Sequence, residues 1–341
     1  MRTKILIVSF FSFLISADAF SDSLNVYTYD SLLGKNSLGE VLKNEFQKKT
    51  GSNLNFFSYS SGGEALNQII LEGAQTKADI LLGIDNSFAE RAESTQMFLT
   101  IPPELFKGIE PQLRFDKGHL FLPFDYGYLA FIYNKEKISK GTLAQFKTGL
   151  ANFLSSELIS KKIVIEDPRT SSLGFSFLRW TQELFSEPEA LRKCWEMFFP
   201  KLVTLSPSWS GAYGLFLKGE ADWVLSYTTS VAFHQEKERK ANYEALIFDG
   251  GNATQIEAAA VLKTSKKKSL NYEFLKVLKS DEVQRMVPLT QWMYPVNTNV
   301  ALPSSFKELM VPKSLTFNLR ISEIQRKKLI SDWTRWTSGA P

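Results

Sequence analysis

Short apolar runs of period two alternate along the chain with stretches of period near 3.6, the pattern of an α/β protein with mainly parallel sheets. Leu24 to Tyr29 reads as a strand, Leu38 to Lys49 as a helix with Leu38, Val41, Leu42 and Phe46 on one face, and Asn53 to Tyr59 as a strand. A helix over Glu64 to Gly73 and a strand over Asp79 to Gly83 complete a β-α-β-α-β half of a doubly wound domain. Its strand ends, Tyr29-Asp30, Ser60-Ser61-Gly62 and Ile84-Asp85-Asn86, should converge on one edge, where ligands of open α/β sheets sit.

Phe121 to Tyr133 alternates like a strand yet contains Pro123, Asp125 and Gly127, which a regular central strand avoids. It is therefore predicted to cross between two domains. Downstream, Ile163 to Glu166 is a strand, Asp167 to Ser172 a turn and Leu173 to Phe185 a helix. In Trp209 to Ser230 a short helix ends near Lys218-Gly219, and a buried strand, Ala221 to Tyr227, delivers Ser226, Tyr227, Thr228 and Thr229 at its carboxyl end. Gln255 to Leu262 reads as a strand returning to the first domain, Leu270 to Lys279 as a helix, and amphipathic Ile321 to Trp336 as a closing helix on the outside. The expected organisation is a leader over 1–19, a first lobe from 20–123 with about 247–298, and a second lobe from 124–246 with about 299–341.

The leader is read from Arg2 and Lys4, the apolar run Ile5 to Ile15 and the small-x-small sequence Ala17-Asp18-Ala19, which together form a secretory signal cleaved near Ala19. No later segment approaches the roughly 20 apolar residues of a membrane span, so a mature chain without an integral membrane segment is expected. Cys194 is the only cysteine and lies in an apolar helical run, so the exported chain must rely on its core, and the periplasm is its expected home. At 341 residues and 44% hydrophobic, the chain exceeds what a single core usually supports. Its net charge of +4 is scattered, apart from Lys266-Lys267-Lys268 and Arg326-Lys327-Lys328, which read as solvated faces. Nucleic acid needs a concentrated basic stripe, and none is present.

Catalytic signatures are missing: His119 and His234 lack zinc spacing, and neither a Gly-x-Ser-x-Gly elbow nor a phosphate loop occurs. No metal site is expected. The aromatic inventory instead suggests a flat cationic ligand, since Tyr29, Tyr126, Tyr128, Trp209, Tyr213, Tyr227, Phe233, Trp292 and Tyr294 fall at predicted strand ends or loops near Asp30, Asp85 and Asp125. Thr170-Ser171-Ser172 precedes a helix and can cap it or bind phosphate with help from Arg169; both readings stay open.

Six segments carry a family resemblance: VYTYDS (Val26 to Ser31), ADILLGIDN (Ala78 to Asn86), PFDYGYLAFIYNK (Pro123 to Lys135), EDPRTSSLG (Glu166 to Gly174), WSGAYGLFLKGEADWVLSYTTS (Trp209 to Ser230) and QWMYPV (Gln291 to Val296). In this order they resemble the periplasmic thiamine-binding proteins of bacterial ABC transporters. The resemblance implies a type II periplasmic-binding fold, with two α/β lobes, hinge strands and an inter-lobe cleft. It also implies thiamine and its mono- and diphosphate as ligands, an inner-membrane permease as partner, and no cofactor. A monomer is expected. Tyr29, Trp209, Tyr227 and Trp292 match pocket-lining positions of the family, and Thr170 to Ser172 matches its phosphate end. Two departures stand out: Phe233 replaces a tyrosine, and Ser61 aligns with an acidic residue of the pyrimidine side, for which Asp30 or Asp85 could compensate. The expected ligand-binding set is Tyr29, Asp30, Ser61, Asp85, Ser171, Ser172, Trp209, Tyr213, Tyr227, Phe233 and Trp292. A same-fold receptor for a polyamine or ferric iron, and an exported enzyme acting on a thiamine-like compound, are the competing readings.

Overall fold

A computed structural model describes residues 23–159, 162–315 and 320–338. The leader and its cleavage site lie outside the described residues. The strands are β1 (Ser23–Tyr29), β2 (Asn53–Tyr59), β3 (Ile80–Asp85), β4 (Leu122–Asn134), β5 (Ile163–Glu166), β6 (Leu202–Ser206), β7 (Trp223–Tyr227), β8 (Tyr243–Leu246), β9 (Asn252–Val261), β10 (Tyr294–Pro295) and β11 (Ser314–Leu315). Their principal order is β2-β1-β3-β9-β4-β7-β5-β6. The β1, β2 and β3 pairings are parallel, as are those of β5 with β6 and β7. The two parallel blocks are joined through antiparallel pairings of β9 with β3 and β4, and of β4 with β7. The sheet is thus mixed, which corrects the expectation of mainly parallel sheets. The antiparallel pairings of β9 and β4 lie between the two parallel blocks, and periodicity alone does not show strand direction.

β4 is the crossing element. Leu122 to Tyr128 pairs with β9, and Leu129 to Tyr133 pairs with β7. Its register slips between Pro123 and Asp125, so the proline that a regular strand avoids stands at an irregularity where its missing N–H is tolerated. Asn252, at the start of β9, anchors the change of partner by donating its amide to the Leu129 carbonyl at 2.7 Å.

Two helices open at the junction. The Gly62–Glu72 helix is capped by Ser61, and the Ser172–Leu184 helix by Ser171, each side chain accepting from a backbone N–H of the first turn. Gly174 is required at the second start, because a Cβ there would lie 2.5 Å from the Glu166 carbonyl. The closing helix, Glu323–Thr337, begins in a capping box of Ser322 and Gln325. Trp333 packs edge-on against Trp195 from the Pro188–Phe198 helix, with ring centroids 5.6 Å apart. Arg326 corrects the solvated-face reading: it is buried, with its guanidinium carbon 4.6 Å from the ring centroids of both Phe88 and Phe175. Its long stem and flat cation suit a slot between aromatic faces.

Candidate functional site

The carboxyl ends of β1, β5 and β7 deliver Tyr29, Glu166 and Tyr227 to one cleft between the lobes. β9 adds Gln255 and Glu257 from within the strand, the two helix starts add Ser61, Gly62, Ser171 and Ser172, and the loop over 290–293 adds Trp292. Among the described residues two carboxyls line this cleft, and no Lys, Arg or His does.

Tyr29 is held on both sides of its hydroxyl. It donates to Glu257 Oε2 at 2.6 Å and accepts from the Gln291 amide. Its ring lies over β3 because residue 83 is glycine: a Cβ there would stand 2.1 Å from the ring, and φ is +94°. Trp209 opens the Trp209–Leu217 helix, donates its indole N–H to Ser226 Oγ at 2.8 Å, and stacks on Tyr213 with centroids 4.8 Å apart. Trp292 has φ of +57°, a left-handed conformation that is a true outlier for so bulky a side chain and marks a wall set at a cost in strain.

Burial governs the charge of this site. Glu166 is 1% exposed, its Oε1 lacks a hydrogen-bond partner among the described residues, and desolvation raises its pKa to about 8, against the lowering effect of the Ser171 hydroxyl. Burial likewise raises Glu257 to about 7.

Of the eleven expected residues, Tyr29, Ser61, Ser171, Ser172, Trp209, Tyr227 and Trp292 line the cleft. Tyr213 does not. It is buried behind Trp209, with its hydroxyl 2.9 Å from His234 Nε2, so it supports the wall. Phe233 packs edge-on against Trp292 at 5.3 Å and also stands outside the lining. Asp30 lies off the lining and accepts from Ser210 Oγ at 3.3 Å, a bond between lobes. Asp85 is fully buried and turns its Oδ1 to the backbone and hydroxyl of Ser87, which takes it out of the lining. The cleft carboxyls are instead Glu166 and Glu257, which sequence reading missed. The available signal was a single acid inside each of the buried runs IVIE and QIEAAAV. The Ser171 side chain caps its helix, accepting from Gly174 N at 3.3 Å.

A family model for bacterial extracellular solute-binding proteins matches residues 42–310. The chain belongs to the bacterial extracellular solute-binding proteins. Within this family it is similar to the thiamine-binding periplasmic protein of Salmonella typhimurium (strain LT2), at 38% identity over 95% of this chain and 97% of the relative. The corresponding Haemophilus influenzae protein is 35% identical over 91% of each chain. A solved periplasmic thiamin binding protein superposes with a TM-score of 0.83 and 35% identity, covering 94% of this chain and 97% of the other. A ferric binding protein from Campylobacter jejuni reaches a TM-score of 0.74 at 17% identity and shares the fold alone. As a solute-binding protein of the type II periplasmic fold, the chain has its cleft where the two lobes meet. No helix among the described residues is long and apolar enough to cross a membrane.

Proposed function

We propose that the cleft captures thiamine in the periplasm and passes it to an inner-membrane ABC permease, making and breaking no bond. The observation that carries this reading is the lining itself: Tyr29, Trp209, Tyr227 and Trp292 surround two carboxyls, with no cationic side chain among them. A flat permanent cation gains about 0.5–2 kcal/mol from an aromatic face as it desolvates, and a carboxylate adds charge and accepts from a ring amine. Relatives similar over nine-tenths or more of this chain are named for thiamine, which favours it over other flat cations.

Phosphate esters are weaker ligands on this reading. The two capped helix starts favour an anion, but Glu257 opposes one in a cleft that has no lysine or arginine among its described lining residues. Titrating the ligand-free protein with thiamine and both phosphates tests the proposal, with thiamine expected to bind one to one and tightest.

A further inference from the structure

β4 and β9 set two acids face to face, for Asp125 and Glu257 are partners in the antiparallel register. Both are buried, Asp125 at 0% and Glu257 at 8% exposure. Like charges directly opposite are destabilising, and two buried carboxyls in contact do not both ionise. Their surroundings divide the roles. Glu257 accepts from the Tyr29 hydroxyl on β1 at 2.6 Å and from the Gln255 amide on its own strand at 3.4 Å. Asp85 on β3 and Tyr227 on β7 also act on Glu257 electrostatically. Among the described residues Asp125 has no hydrogen-bond partner at either oxygen. The basic group near these acids, Arg326 on the closing helix, acts on Asp85. Glu257 lines the cleft and Asp125 does not.

We propose that Glu257 is the member of the pair that supplies negative charge to a cationic ligand, and that Asp125, opposite it on β4, is held as the neutral acid. Donors gather on Glu257, where they stabilise a carboxylate, and Asp125, buried opposite it without any, is the member that burial keeps neutral. Burial raises the pKa of Asp125 well above the carboxylate range, in keeping with this division. Specificity for positive charge then resides in one residue of β9. The proposal rests on the cationic-ligand reading above and deepens it.

Two measurements on the full mature chain test it. The first follows the carboxyl ¹³C resonances of Asp125 and Glu257 in the ligand-free protein against pH and needs neither variant nor ligand. Asp125 is expected to stay protonated well above the range of an ordinary aspartate and to ionise after Glu257; ionisation of Asp125 ahead of Glu257 would overturn the assignment. The second compares thiamine with an isostere whose thiazolium is replaced by a neutral ring. The native protein should prefer the cation by about tenfold or more, Glu257→Gln should abolish that preference, and Asp125→Asn should keep it, since the amide mimics the neutral acid. A preference that survives in Glu257→Gln and disappears in Asp125→Asn would reverse the assignment. If the native protein ignores thiamine altogether, the thiamine reading fails, and the carboxyl titration still decides the pair.

Discussion

Ser61 and Thr170 are joined across the cleft: the Ser61 hydroxyl donates to the Thr170 carbonyl at 2.8 Å. The same oxygen accepts from Glu64 N at 3.1 Å and caps the Gly62–Glu72 helix. Gly63 N to Ser172 Oγ at 3.2 Å and Ser210 Oγ to Asp30 Oδ1 at 3.3 Å are further bonds between the lobes. Three hydrogen bonds through hydroxyls therefore bridge the two sides of the cleft, and hinge closure onto such contacts is how two-lobed receptors trap a solute.

Ser61→Ala removes cap and latch together. A loss of about 1 kcal/mol in stability is expected from the cap, and ligand release should accelerate several-fold. Stopped-flow dissociation beside thermal melting separates the two; an unchanged release rate would show that the lobes close through other contacts.

Trp292 supplies both a wall and a strained backbone. Trp292→Ala should weaken thiamine binding by about 2 kcal/mol or more, roughly thirtyfold. Because φ is +57°, Trp292→Gly should be more stable than Trp292→Ala by about 1 kcal/mol, the reverse of the usual order. Equal melting temperatures would remove the strain.

Tyr213→Phe keeps the stack on Trp209 but leaves buried His234 Nε2 without its hydroxyl partner. We expect a stability cost of about 1–3 kcal/mol with thiamine affinity within about threefold, because Tyr213 only supports the wall. A much larger affinity loss, read by titration of the folded variant, would return Tyr213 to the cleft.

Glu166 makes stability fall as pH rises. Its pKa in the folded chain is about 8 against an ordinary 4.5, so between these values the native state holds more protons than the unfolded chain, and each step upward in pH costs stability. Glu166→Gln should gain stability over the native protein progressively from about pH 5 to pH 8. Parallel melting curves across that range, with a constant difference, would contradict the burial argument.

Much of this was legible before the structure. The β-α-β-α-β opening, the crossing strand and the capped helix at Ser171 follow from periodicity, an ill-fitting proline and a hydroxyl before an apolar run. The aromatic walls were legible as well, since Tyr29 and Tyr227 end strands, where side chains meet ligands. Asp30 and Asp85 were misplaced for a physical reason. They follow strand ends as cleft residues do, but each has a nearby hydroxyl, Ser210 or Ser87, that turns its carboxylate aside. Glu257 escaped notice because it stands in mid-strand, and only the β4–β9 register shows that Asp125 lies opposite. Arg326 looked solvated because it opens a basic run with exposed Lys327 and Lys328, whereas the slot between Phe88 and Phe175 is made by residues distant in sequence.

Isothermal titration of the refolded, ligand-free mature protein tests the thiamine reading most directly. Thiamine, thiamine monophosphate and thiamine diphosphate would be injected in turn, with spermidine and ferric citrate as controls. We expect tight one-to-one binding of thiamine, weaker binding of its phosphates, and no heat from either control. Silence toward all three thiamine species, or a stronger response to spermidine or ferric citrate, would contradict it.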